Sequence, residues 1–190
     1  MTCCIGYKTN KMLCFASDTQ GSNEDTKETR LDPKIFKLND MLIATCGSFR
    51  MRDVLMYELD IPKLKINEDI DKYVRTTVIN GIRNLFIEKN ICVKNDETDF
   101  ASPGDILLGI QNKIYKIESD FQVGETDKAY VAIGCGAREA MGAMTMYEKY
   151  LSLPKTKNEI EKFLLNTLET TADLNVSVNN ICNTIFKRID

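Results

Sequence analysis

No histidine occurs anywhere in the 190 residues. That absence removes serine–histidine and cysteine–histidine nucleophile pairs, and imidazole-ligated zinc hydrolysis, in one step. A hydrolase built on this chain needs a base of another kind. No apolar run approaches the eighteen or more residues of a membrane span, so no membrane partner is expected. The start, MTCCIGYKTNK, lacks the basic segment and long apolar stretch of a secretory signal, which points to a cytoplasmic protein. The formal net charge is only -3, too weak and of the wrong sign to suggest nucleic acid as a partner.

What is there reads as an ordinary globular chain, 43% apolar and 28% charged. Its length suits one full hydrophobic core, so residues 1–190 are read as a single domain. The seven cysteines are odd in number, and most lie in apolar strand-like runs. This pattern favours reduced, buried thiols. Cys3 and Cys4 are adjacent, which is not the spacing of a zinc pair, and no structural metal is expected.

Along the chain, residues 3–8 and 12–17 read as a hairpin around Thr9-Asn10. Residues 19–32 are polar and loop-like. Residues 35–38 and 41–45 form a second hairpin around Asn39-Asp40. The period then changes. Residues 49–58 read as a helix after Gly47-Ser48, and residues 69–89 as a longer one with apolar positions at three and four. Gly81 sits inside that helix, where another element could pack closely. Residues 91–104 are rich in turn signals. A third hairpin spans 106–110 and 113–117, a short strand follows near 121–123, and a buried strand at 130–133 ends in Gly134-Cys135-Gly136. Helix returns from Ala137 to Leu151. Thr156 and Glu159 form a capping box for a last helix. Residues 176–178 and 181–185 read as a closing hairpin.

The order is strands, helix pair, strands, helix pair, strands. Hairpin connections argue against a doubly wound parallel sheet. The expected fold is α+β, with two antiparallel sheets face to face and helix pairs outside; a plain two-layer α+β fold is the less specific alternative.

Four residues stand in a suggestive register: Thr2 at the extreme N-terminus, Asp18 in ASDTQG, Lys34 in RLDPKI and Gly47 in ATCGS. Taken singly each has a plain reading. Thr2 is a small second residue, Asp18 a strand-end turn residue, Lys34 a surface lysine and Gly47 a turn glycine. Together with the Gly134-Cys135-Gly136 loop and Asp173, their segments resemble proteasome β-type subunits, most of all the bacterial HslV-type peptidase. The resemblance covers Thr2 to Phe49, Tyr130 to Tyr147 and Ala172 to Asn180; the middle matches only in element order.

That resemblance implies a four-layer αββα sandwich of the N-terminal nucleophile hydrolases. It implies a threonine-type endopeptidase within an oligomeric chamber, acting on peptide or unfolded-protein substrates. It also implies a homo-oligomeric ring, a separate ATP-dependent unfoldase as possible partner, and no cofactor or metal. By match to the family pattern, Thr2 is the nucleophile and its α-amine the base once Met1 is gone. Asp18 and Lys34 tune the site, the Gly47 N–H receives the oxyanion, and Asp173 holds the amine. Cys135 stands where the family has serine, and a thiol donates hydrogen bonds more weakly than a hydroxyl. Val176 likewise replaces a serine of proteasome β subunits. Cys3 is a more reactive residue type than threonine, but it is not N-terminal after loss of Met1 and points to the other strand face. Two alternatives stay open: an impaired proteasome-like structural or assembly protein, and an amidohydrolase for small amides.

Overall fold

A computed structural model describes residues 2–22, 25–92 and 101–189. The first hairpin forms as read, from β1 (Cys3–Lys8) and β2 (Met12–Asp18). A short antiparallel pair follows, β3 (Gln20–Ser22) and β4 (Lys27–Thr29). Then come β5 (Ile35–Leu38), β6 (Met41–Gly47) and α1 (Phe49–Glu58). The next helix runs on through α2 (Ile70–Tyr73), a π-helical stretch (Val74–Val78) and α3 (Ile79–Glu88). The second half comprises β7 (Gly104–Ile110), β8 (Lys113–Ile117), β9 (Val123–Glu125) and β10 (Tyr130–Gly134), then α4 (Ala137–Tyr150), α5 (Lys157–Leu174) and β11 (Cys182–Arg188).

Two large antiparallel sheets carry the molecule, ordered β10–β1–β2–β11 and β5–β6–β7–β8–β9. Successive strand residues point to opposite faces, and β1 shows why it is buried on both. Cys3, Ile5 and Tyr7 join a core with Met144 of α4 and with Phe163, Leu164 and Leu168 of α5. Cys4 joins Leu13 and Phe15 against Leu42, Ala44, Leu107 and Ile114 of the other large sheet. The outer face of that second sheet, through Ile43, Leu108 and Tyr115, packs on Met51, Val54 and Leu55 of α1 and on Val78, Ile82 and Phe86 beyond it.

The structure corrects the sequence reading in three places. The expected pair of sheets is joined by a third, the small β3–β4 pair, within the stretch read as loop. Its strand β4 is exposed at every position, so it carries none of the apolar alternation that marks a strand in sequence. The closing hairpin does not form. Residues 176–178 make a tight turn, with the Val178 N–H donating to the Asn175 carbonyl at 3.0 Å, and β11 pairs with β2 instead. The short strand near 121–123 lies later, at Val123–Glu125, after Phe121 takes φ 65°.

Other local readings hold. Ser48 caps α1, its hydroxyl accepting from the Arg50 N–H at 3.2 Å, which starts the helix directly after Gly47. The Thr156–Glu159 capping box is present in both directions. A Cβ on Gly81 would lie 2.4 Å from Ile61 Cγ2, so close packing explains that helical glycine. The 91–104 stretch falls partly outside the described residues. Among the described residues, no helix is long and apolar enough to cross a membrane.

Candidate active site

The sheet pairing brings distant segments to the start of β1. Cys3 lies opposite Gly134 on one side, and Cys4 opposite Ser17 on the other. Thr2, one residue earlier, therefore sits between the end of β2 and the turn that follows β10. It is 4% exposed.

Asp18 closes β2 beneath it. One carboxylate oxygen accepts from the Cys3 N–H at 2.9 Å and from Lys34 Nζ at 2.8 Å; the other accepts from the Gln20 N–H at 3.0 Å. Lys34 also donates to the Gln20 carbonyl at 2.7 Å. Their side chains are 4% and 0% exposed. A charge taken out of water is tolerated only where partners replace the lost hydration, and here three donors surround the carboxylate. The pair thus fixes the main chain immediately after Thr2 and leaves a cation beside it.

Gly47 ends β6 at φ 132°, and a Cβ there would lie 2.3 Å from the Pro103 carbonyl oxygen. Both facts require glycine. Gly47, Thr45 and Lys34 line one small cavity together with Thr2, Phe49 and Arg52. Larger surface clefts lie elsewhere, one of them between Asp40 and Lys187, but the convergent polar groups are at the small cavity.

The Gly134-Cys135-Gly136 turn wraps the other side of Thr2. Gly134 takes φ 99°, and a Cβ on it would lie 2.2 Å from the Thr2 carbonyl oxygen. That oxygen accepts from the Gly136 N–H at 3.4 Å and from Cys135 Sγ at 3.3 Å. The Thr2 N–H donates to Cys135 Sγ at 3.1 Å. Cys135 therefore presents an exposed thiol in contact with the Thr2 nitrogen.

The neighbouring thiols are held neutral. Burial pushes the Cys46 thiol up to about 12, with Cys135 and Asp105 adding to it. Burial first, and then the Asp18 charge, raises Cys3 far above the ordinary thiol range. Cys3 is thus poorly suited to act as a nucleophile.

Asp173 lies exposed in the last turn of α5, and its side chain makes no hydrogen bond or ion pair among the described residues. Asn175, just beyond the helix, reaches the site instead. Its Nδ2 donates to the Cys135 carbonyl at 3.1 Å and to Glu139 Oε1 at 3.3 Å, and its Oδ1 accepts from the Ser177 N–H at 3.0 Å. Val176 is exposed at 87%.

Sequence reasoning missed Asn175 and Arg52. Arg52 is 7% exposed; it donates to the Pro33 carbonyl at 3.3 Å and pairs with Asp53, while its Nε has no partner among the described residues. Neither residue had a local signal. An asparagine after a helix and an arginine inside one are ordinary residues until the chain folds. Among the described residues, no cluster of three or more His, Cys, Asp or Glu could hold a metal ion.

The same fold occurs in several solved structures. BPH of Thiobacillus denitrificans, in complex with epoxomicin, superposes with a TM-score of 0.79 at 16% identity, covering 99% of each chain. HslV of Trypanosoma brucei gives 0.65 at 15% identity, covering 97% of this chain and 98% of that one. Anbu, an ancestral β-subunit from Yersinia bercovieri, gives 0.69 at 17%, covering 98% and 82%. No family model matches the chain, and no curated protein matches it in sequence. The shared feature is the α+β architecture of this structural group.

Proposed function

We propose that this chain is a threonine-dependent peptidase of the N-terminal nucleophile type, with Thr2 as nucleophile once Met1 is removed. The observation that carries the reading is the buried Asp18–Lys34 pair bonded to the amide that follows Thr2. A threonine hydroxyl is a weak nucleophile and needs a base. The freed α-amine of Thr2, with an unperturbed pKa of about 7.7–8.0, can take the proton near neutral pH.

In the first step Thr2 Oγ adds to the substrate carbonyl and its proton passes to the amine. The Lys34 charge favours developing negative charge on oxygen, and the Gly47 N–H donates to the oxyanion. The protonated amine then gives its proton to the leaving nitrogen. Water, deprotonated by the same amine, releases the acyl group from Thr2. Cys135 orients the amine through its sulfur. Asp173 is assigned no contact in these steps, and Asn175 supports the Cys135 turn from that segment. No metal or cofactor takes part.

The intended substrate is a peptide or unfolded protein, handled in a homo-oligomeric ring of this chain in the cytoplasm, with a separate ATP-dependent unfoldase as partner. Epoxomicin, which the Thiobacillus protein binds, is a suitable ligand to try on Thr2. One observation favours a second reading. The cavity beside Thr2 is small, and Phe49 on its rim lies against the guanidinium groups of Arg30 and Arg52 at 4.2 and 5.6 Å. That geometry suits a small amide better than a bulky peptide side chain. Hydrolysis of short fluorogenic peptides and of simple amides, by wild type and by Thr2→Ala, separates the two. The proposal expects peptide cleavage that the variant loses. Equal, inert behaviour of both proteins, with Met1 gone and the oligomer assembled, would favour the non-enzymatic assembly protein.

A further inference from the structure

Cys135 faces a nitrogen rather than standing alone. Its sulfur lies 3.1 Å from the Thr2 nitrogen and 3.3 Å from the Thr2 carbonyl oxygen. Both neighbours of Cys135 are packed against the same strand end. A Cβ on Gly134 would lie 2.7 Å from Cys46 Sγ, and one on Gly136 would lie 3.0 Å from Cys3 Cβ. Asn175 Nδ2 holds the Cys135 carbonyl at 3.1 Å. The thiol is exposed, so a small oxidant can reach it, yet its backbone is pinned and its sulfur stays aimed at Thr2.

We propose that Cys135 is an oxidation site whose sulfenic acid is captured by the Thr2 α-amine, forming a reversible sulfur–nitrogen bond across the candidate active site. The inference rests on the reading that Met1 is removed and the amine is free. The oxidant is a hydroperoxide. In the first step the Cys135 sulfur attacks the peroxide oxygen, giving the sulfenic acid and, from hydrogen peroxide, one water. The Thr2 nitrogen then attacks that sulfur; the S–O bond breaks, hydroxide leaves and takes a proton from nitrogen as a second water. Sulfenic acids are known to condense with thiols or with backbone nitrogen.

Placement decides which partner wins here. The Thr2 nitrogen, which becomes the amine on loss of Met1, is already 3.1 Å from the sulfur, and held groups react as if at very high concentration. At its unperturbed pKa of about 7.7–8.0, roughly a tenth to a sixth of the amine is unprotonated at pH 7, and this fraction is replenished as it reacts. The competing thiols are poor nucleophiles there. Cys3 and Cys4 are buried and raised, and Cys46 is pushed up to about 12. Two equivalents of an external thiol reverse the bond. The first cleaves S–N to a mixed disulfide and returns the amine, and the second releases the Cys135 thiol as the external disulfide. While the bond lasts, the amine has lost its role as base, and the nucleophile is switched off.

The test uses the full chain, shown by intact mass to have lost Met1, treated with hydrogen peroxide at neutral pH. It is then unfolded in a thiol-blocking alkylating agent and digested with trypsin without reductant. The expected product joins Thr2–Lys8 to Ala129–Arg138 at two hydrogens below their summed mass, with Cys3 and Cys4 both alkylated. Dithiothreitol separates the peptides, and Cys135→Ser gives no joined product. A joined product with one of Cys3 or Cys4 unalkylated is a disulfide and overturns the inference. So does a Cys135–Cys46 disulfide, or a Cys135 sulfinic acid beside a free N-terminal peptide. A threonine-directed electrophile applied to a separate sample that has seen no peroxide keeps the two readings apart. An adduct on Thr2 without the S–N bond sinks only the oxidation site; the S–N bond without an adduct sinks only the hydrolase reading.

Discussion

Lys34 Nζ lies 2.8 Å from Asp18 Oδ1, and the two side chains are 4% and 0% exposed. A surface pair of this kind contributes at most about 1 kcal/mol. Removing one member of a buried pair costs about 3–5 kcal/mol, because the other charge is left without a partner. Lys34→Met should therefore lower the unfolding free energy by about that amount in urea titrations. It should also abolish Thr2 reactivity under conditions where the variant is still folded. A loss below about 1 kcal/mol would mean that water reaches the pair.

Two glycines in adjoining elements should respond in opposite ways to a methyl group. Gly134→Ala forces a side chain onto φ 99° and to 2.2 Å from the Thr2 carbonyl oxygen. Gly142, inside α4, has nothing within 4 Å of its would-be Cβ. The first variant should lose about 2 kcal/mol or more and react at Thr2 at least about tenfold more slowly. The second should gain about 0.5–1 kcal/mol from helix propensity alone. Thermal melts of the two variants against wild type check the sign of each.

Thiol reactivity should follow exposure and thiolate content. Cys135 is exposed, whereas Cys3, Cys4 and Cys14 are buried. Burial pushes the Cys46 thiol up to about 12, so almost none of it is thiolate at pH 8. Brief iodoacetamide treatment at pH 8 should modify Cys135 ahead of these four. The Cys46 rate should rise about tenfold per pH unit, because only the deprotonated form reacts. Peptide mapping of the alkylated sites reads the order directly.

Asn175 should act through the turn it holds. Asn175→Ala removes the hydrogen bonds to Cys135 and Glu139 from a surface-proximal site. The expected result is a fall of about tenfold in Thr2 labelling, with a melting shift of only a few degrees. A melting shift without a labelling change would make Asn175 a structural residue only.

Much of the fold was legible because apolar periodicity and caps report on burial. The 49–58 helix, the Thr156–Glu159 box and three of the hairpins came from such local signals. The β3–β4 pair was not legible, since exposed polar strands carry no alternation. Residues 176–178 were misread because Val176 and Val178 mimic a strand, while Asn175 in fact caps a turn and leaves Val176 in solvent. At the site, Thr2, Asp18, Lys34, Gly47 and Cys135 were named by their resemblance to a family pattern, and the fold brings them around one strand end. Asp173 was named the same way and lies exposed on α5; the hydrogen bonds from that segment come from Asn175, whose role depends on a turn that sequence spacing does not encode.

The central claim is that Thr2 carries a free amine and a reactive hydroxyl. Intact mass spectrometry before and after a threonine-directed electrophile tests both in one measurement. The account predicts a starting mass lacking Met1, then one adduct per chain that maps to Thr2 and is absent from Thr2→Ala. A chain that has lost Met1, is folded and assembled, and still takes up no adduct at Thr2 would contradict it.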